Sequence, residues 1–195
     1  SDVCSSDLTT CLLHEIMRKC AHQQLTMARR CFLHVGLHKT ASSSAQSSFS
    51  ASRKVLRENG INFPIFRYFE PNGHAKPIAN HSIPIYSLFS EHPNQYHVNI
   101  RWNVKDIEKA NARYMTQLRK AAEGDEDLLI SGEDISVLSA SGLKRLSAEL
   151  EGLGFEIVPF ALVRAPYSFA CSSIQQQVKS GSYTEIIDRS EEHTS

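Results

Sequence analysis

The chain has 195 residues, and its 21 Lys and Arg balance 21 Asp and Glu, so the formal net charge is zero. That balance gives no sign of a nucleic-acid partner or an anionic membrane surface, and no apolar run approaches the length of a membrane span. The length fits one domain, on a prior of about 150 residues each, with chain enough to bury a sizeable core.

The two ends stand apart from the rest. Residues 1–8 and 189–195 resemble translated sequencing-adapter sequence, and residues 9–26 show no core or loop pattern. Met27-Ala28-Arg29-Arg30, just before the first apolar run, reads as a native start. The expectation is a non-native leader over 1–26, an α/β domain over 27–188 that is cut short at its C-terminal side, and a non-native tail over 189–195. Such ends carry no information about a fold. Cys4, Cys11 and Cys20 then drop out, leaving Cys31 and Cys171. Two lone cysteines, with no Cys/His cluster at metal spacing, predict buried reduced thiols in a cytoplasmic protein and no metal site. Leu12-Leu13 lies in a stretch too short and too polar for a signal peptide.

The domain opens on Cys31-Phe32-Leu33-His34-Val35, long enough for a buried strand and too short for a helix. Gly36 permits a sharp turn. Lys39 sits in the loop, and Thr40, Ser42, Ser43 and Ser44 place hydroxyls at a helix start. Free N–H groups and the helix dipole favour an anion there. The alternative is an ordinary strand–turn–helix with a serine-rich cap. The loop is not a Walker A, because no Gly precedes Lys39 at the required spacing.

Ala45, Phe49, Ser52 and Leu56, with Val55 beside them, form one stripe of a helix that stops at Asn59-Gly60. Ile61-Asn62-Phe63 reads as a short strand ended by Pro64. Residues 65–80 read as irregular, with Pro71, Asn72-Gly73 and Pro77 as turn signals. Asn80-His81 opens a short helix through Ile85, Leu88 and Phe89, where His81 is an acceptor-site residue or base, or else a capping or surface histidine. Asn103 is placed to cap a long helix with a stripe of Val104, Ile107, Tyr114, Leu118 and Ala121, broken once by Asn111 and ended by Gly124.

Residues 127–134 read as a buried parallel strand with a polar end, covered on both faces. Glu133 and Asp134 stand at its carboxyl end, where open α/β sheets bind ligands. Glu133 is a candidate general base; the alternative is a solvated Glu133 with Asp134 or Ser136 as a cap. Leu143, Leu146, Leu150 and Leu153 mark another helix, closed by Gly152 and Gly154. Residues 155–163 form the next strand, and Pro159 within it points to a bulge or a place near the sheet edge. Arg164 leaves that strand, Pro166 starts a helix, and Ser172 lies within it, with Ala170, Ile174 and Val178 expected to face inward. A guanidinium fork there suits a phosphate; the common alternative is an Arg paired with a local carboxylate.

Strands alternating with helices predict a parallel central sheet flanked by helices, a three-layer, P-loop-like α/β domain. The sequence Gly36-Leu37-His38-Lys39-Thr40-Ala41-Ser42-Ser43 resembles the 5′-phosphosulfate loop of bacterial-type sulfotransferases that use 3′-phosphoadenylyl sulfate (PAPS). Ala41 stands where that family has Gly, and Ser42 and Ser43 stand where it has Thr. Arg164-Ala165-Pro166 with Ser172 is similar to the family's 3′-phosphate motif, and the resemblance covers about 27–183. It implies that Gly36, His38, Lys39, Thr40, Ala41, Ser42, Ser43, Ser44, Arg164 and Ser172 bind PAPS. It also implies that Lys39 acts in catalysis, that Glu133 or His81 takes the proton, that no metal is needed, and that the acceptor is a small molecule or glycan. A nucleotide kinase or NTPase, and a non-catalytic fragment, are the other readings.

Overall fold

The computed structural model describes residues 28–70, 74–179 and 181. The leader expected over 1–26 and the tail expected over 189–195 lie outside the described residues.

Four parallel strands build the central sheet: β1 (Arg29–His34), β2 (Ile61–Asn62), β5 (Asp127–Ser131) and β6 (Phe155–Phe160). Their order across the sheet is β2-β5-β1-β6. The inner pair, β1 and β5, carries the most continuous apolar runs, as strands covered on both faces do. Leu33 is in register with Ile130 on one side and Pro159 on the other. Side chains alternate between two cores. Phe32 and Leu129 pack with Ala45, Phe49, Leu56 and Phe63. Cys31, Leu33, Leu128 and Ile130 pack on the opposite face with Ile85, Tyr114, Leu118 and Leu146. The result is a parallel sheet flanked by helices on both faces.

α1 (Ser42–Ala51) and α2 (Arg53–Glu58) cover the first face. The single helix expected over this stretch is in fact two, because Ser52 departs from helical geometry at φ −93° and ψ 14°. Val55, expected beside the buried stripe, is half exposed. The other face is covered by α3 (Ser82–Phe89), α5 (Ile107–Ala121) and α6 (Ala140–Gly152). A short α4 (His97–Arg101) precedes α5.

Several sequence expectations are corrected here. Residues 65–80 are not wholly irregular: β3 (Phe66–Phe69) and β4 (Ala75–Ile78) pair antiparallel, with Phe66 and Tyr68 inward and Arg67 and Phe69 outward. The helix cap is Asp106, whose carboxylate accepts the Lys109 N–H at 2.8 Å, and not Asn103, whose φ is +50°. Asn111 breaks the apolar stripe because its side chain pairs with Ser87, accepting from the hydroxyl at 2.7 Å and donating to the carbonyl at 2.8 Å. Leu143 is exposed by 39%, while Leu146 and Leu150 are buried.

β6 ends at Phe160, short of Val163, but the ladder continues for two more bonds: Leu162 donates to the Gly36 carbonyl at 3.1 Å, and Leu37 donates to the Leu162 carbonyl at 3.5 Å. Among the described residues β6 is an edge strand of the sheet, one of the two situations that Pro159 points to. Phe160 and Leu162 carry the bonds to β1, so the Pro159 nitrogen faces away from the ladder. α7 (Pro166–Lys179) starts at Pro166 as expected, yet none of its residues is buried, and Ala170, Ile174 and Val178, expected inward, are exposed.

Candidate functional site

β1, β5 and β6 run parallel, so their carboxyl ends gather three loops at one edge of the sheet. The first loop spans 35–41. Gly36 turns it at φ +102°, and a side chain there would press on the Glu133 backbone, with the carbonyl oxygen 3.1 Å and Cα 3.2 Å from the added carbon. Lys39 and Ala41 also take left-handed backbone, at φ +63° and +66°. Ala41 is the residue before α1 and makes no side-chain cap.

The hydroxyls in this loop divide into two kinds. Thr40 and Ser42 are buried and both donate to the Leu37 carbonyl, so their protons serve the loop itself. Ser43 is exposed and Ser44 half-buried. The N–H groups of the first helical turn, Ser42 to Ser44, have no partner within the helix, by helix geometry. Thr40 and Ser42 thus hold the shape of the loop, while the Ser43 and Ser44 hydroxyls are not used on the Leu37 carbonyl. Lys39 is half-buried at the centre of the loop.

The second loop follows β5 as a single 3₁₀ stretch, Glu133–Val137. A cluster without a sequence signature assembles here. Asp134 lies 3.3 Å from His38 Nε2, and Glu133 lies 3.9 Å from His38 Nδ1. The Tyr96 hydroxyl donates to the other Asp134 oxygen at 2.6 Å. Burial, then the Asp134 carboxylate, raises the Tyr96 pKa, which keeps the phenol protonated and donating. Tyr96 thus fixes Asp134, and Asp134 fixes one edge of the His38 ring. No sequence signal marks Tyr96, which sits in a stretch without periodicity.

The third loop leaves β6. Arg164 Nη1 donates to the Lys39 carbonyl at 3.1 Å, and its Nε donates to Ser168 at 2.8 Å. Arg164 therefore stands beside the Lys39 loop, 125 residues away in the chain. Its hydroxyl partner is Ser168; Ser172 lies one turn further along α7 and is half-buried.

His81 does not join this cluster. It is fully buried, its Nε2 donates to the Pro64 carbonyl at 2.7 Å, and its Nδ1 accepts the Ser131 N–H at 3.0 Å. Burial lowers its pKa to about 4. With both ring nitrogens used and Phe63 stacked at 4.5 Å, His81 is a strut between α3 and β5 and has no lone pair for an acceptor proton. His34, at the end of β1, is similarly neutral: burial lowers its pKa to about 4, and Nδ1 pairs with the Ser131 hydroxyl at 2.7 Å.

Cys31 is buried, and burial followed by the Asp127 charge raises its pKa to about 12, so it is an unreactive thiol. Cys171, expected to be buried, is only half-buried, on a helix of which no residue is buried. Among the described residues no group of three or more His, Cys, Asp or Glu is arranged to hold a metal ion, and no helix is long and apolar enough to cross a membrane. Comparison with protein-family models, with curated proteins and with solved structures finds no match to this chain.

Proposed function

We propose that the chain is a P-loop-like sulfotransferase that moves a sulfuryl group from PAPS to a hydroxyl or amine of a small-molecule or glycan acceptor. The observation that carries this reading is the meeting of Arg164 with the Lys39 loop at 3.1 Å. Two segments that separately resemble the 5′- and 3′-phosphate motifs lie side by side at the carboxyl ends of β1 and β6.

The roles follow from the chemistry. The acceptor oxygen or nitrogen attacks sulfur, the bond from sulfur to the bridging oxygen breaks, and 3′,5′-ADP leaves with that electron pair. By analogy with phosphoryl transfer, charge spreads over peripheral oxygens in a loose transition state, so positioning and charge stabilisation do most of the work. Lys39 neutralises charge on the leaving oxygen. Gly36, Ala41 and the first turn of α1 bring backbone N–H groups to the 5′-phosphosulfate, with Ser43 and Ser44 adding hydroxyls. Thr40 and Ser42 keep the loop in shape, and His38 borders it. The N–H donors of Arg164 not used on Ser168 and Lys39 face the 3′-phosphate, with Ser172 further along the same helix. Glu133, half-buried at the rim, takes the acceptor proton.

The test is calorimetric titration of the chain with 3′,5′-ADP, and with 5′-ADP as control, on wild type, Lys39→Ala and Arg164→Ala. Removing one partner of a charge pair that the bound ligand buries costs about 2–5 kcal/mol. Binding that requires the 3′-phosphate and Arg164 is the expected result. Equal binding of both nucleotides points to a kinase or NTPase, and a folded chain that binds neither sinks the reading.

A further inference from the structure

Two cavities are rich in cations, and they differ in how those cations are partnered. One, of about 390 Å³, is bordered by Arg53, Lys54 and Arg57. Its charges are already engaged: Arg53 on the Phe63 carbonyl at 3.0 Å, Lys54 on Glu58 at 3.9 Å, and Arg57 on Glu126 at 3.6 Å. The other, of about 310 Å³, lies between β3 and the start of α5 and is lined by Arg67, Lys105, Lys109 and Arg113 with Glu70 and Asp106. Among the described residues none of these four cations lies within ion-pair distance of a carboxylate. Asp106 uses one carboxylate oxygen to cap α5.

Lys109 and Arg113 lie one turn apart on α5, and Lys105 stands just before its first turn. Like charges at that helical spacing repel by about 0.2–0.5 kcal/mol per pair, and Arg67 faces outward from β3 on the opposite wall. Arg113 is held with its guanidinium 5.0 Å from the Phe69 ring centre. Four cations against two carboxylates leave the cleft with converging positive charge, which an anion matches. Ligand pockets start at about 300 Å³, so the volume of about 310 Å³ has room for one or two rings.

We propose that this cleft binds a small molecule carrying two or more carboxylate or sulfate groups on a ring scaffold. It does not depend on the nucleotide reading, because it concerns different residues. α5 ends beside the start of β1, where Arg29 donates to the Ala122 carbonyl at 2.6 Å. Its first turn therefore lies about 20 Å along the helix from that contact.

The experiment is calorimetric titration of the full chain at low salt with a disulfated disaccharide, a dicarboxylated disaccharide and the neutral parent sugar. One-to-one binding of at least one charged sugar, weakened by added salt, with the neutral sugar inert, is expected. Lys109→Ala and Arg113→Ala, both at exposed helix positions, should each weaken it about three- to fivefold. Lys144→Ala on α6 should leave it unchanged. Thermal melting of each variant establishes that it folds, and Lys105→Gln serves if Arg113→Ala does not. Equal affinity for the neutral sugar, no effect of the cleft substitutions, or an equal effect of Lys144→Ala overturns the site. Tighter binding of a single-stranded oligonucleotide through the same residues overturns the small-molecule class.

Discussion

Ala41 carries backbone that suits glycine. Left-handed geometry costs an L-residue about 1–2 kcal/mol, and φ is +66° here. Glycine removes that cost but loses about 0.5–1 kcal/mol of chain entropy on folding. The difference predicts that Ala41→Gly stabilises the protein by about 0.5–1 kcal/mol. Urea denaturation checks this: the midpoint should rise with no change in slope. An unchanged or lower midpoint would mean that the surrounding loop already absorbs the strain. The same scale explains Gly36, whose φ of +102° suits glycine and where a side chain would press on the Glu133 backbone. It also explains why Thr40 and Ser42, anion ligands by their position in the chain, serve the loop instead: the Leu37 carbonyl lies within reach of both hydroxyls.

Among the elements, α5 shows how a boundary is decided. Asn103 and Asp106 are both good cap residues, and sequence offers no means to choose between them. In the structure Asp106 accepts the Lys109 N–H, and Asn103 turns the chain in left-handed backbone, which Asn tolerates. Asp106→Ala should therefore cost about 1 kcal/mol, read from the urea midpoint, while a loss below a few tenths would move the cap elsewhere. α7 is the opposite case. Its spacing of Ala170, Ile174 and Val178 is that of an amphipathic helix, but Ile174 and Val178 are 49% and 56% exposed. Periodicity reports which residues share a face, and it does not report whether another element covers that face.

At the scale of the whole molecule, two buried neutral histidines link stability to pH. His34 and His81 have folded pKa values lowered from 6.5 to about 4 by burial. In the unfolded chain each takes a proton near pH 6.5. Their neutral burial is without penalty above that pH, and stability falls as pH drops from 6.5 toward 4. The loss is at most about 1.4 kcal/mol per pH unit for each histidine. The melting temperature should therefore decline between pH 7 and 5, and His34→Phe should roughly halve the decline. A flat profile over that interval would show that neither ring stays neutral in the fold.

Much of the architecture is legible in the chain alone. The apolar runs of β1 and β5, the turn at Gly36, the helix start at Pro166 and the edge position signalled by Pro159 are consequences of local chemistry, which acts over a few residues. The hairpin of β3 and β4 is not legible, although Phe66 and Tyr68 alternate with exposed neighbours, because the strands are short and Pro77 lies in one of them. At the site, the Lys39 loop and Arg164 stand out by residue type and spacing, and the structure brings them together. The His38, Asp134 and Tyr96 cluster and the burial of His81 are decided by tertiary structure. Each depends on which polar atom meets which partner across the fold: Tyr96 and Asp134 are 38 residues apart, His81 and Ser131 are 50. Sequence determines the local backbone because those forces are short-ranged along the chain, whereas a buried polar group must find its partner wherever packing brings one.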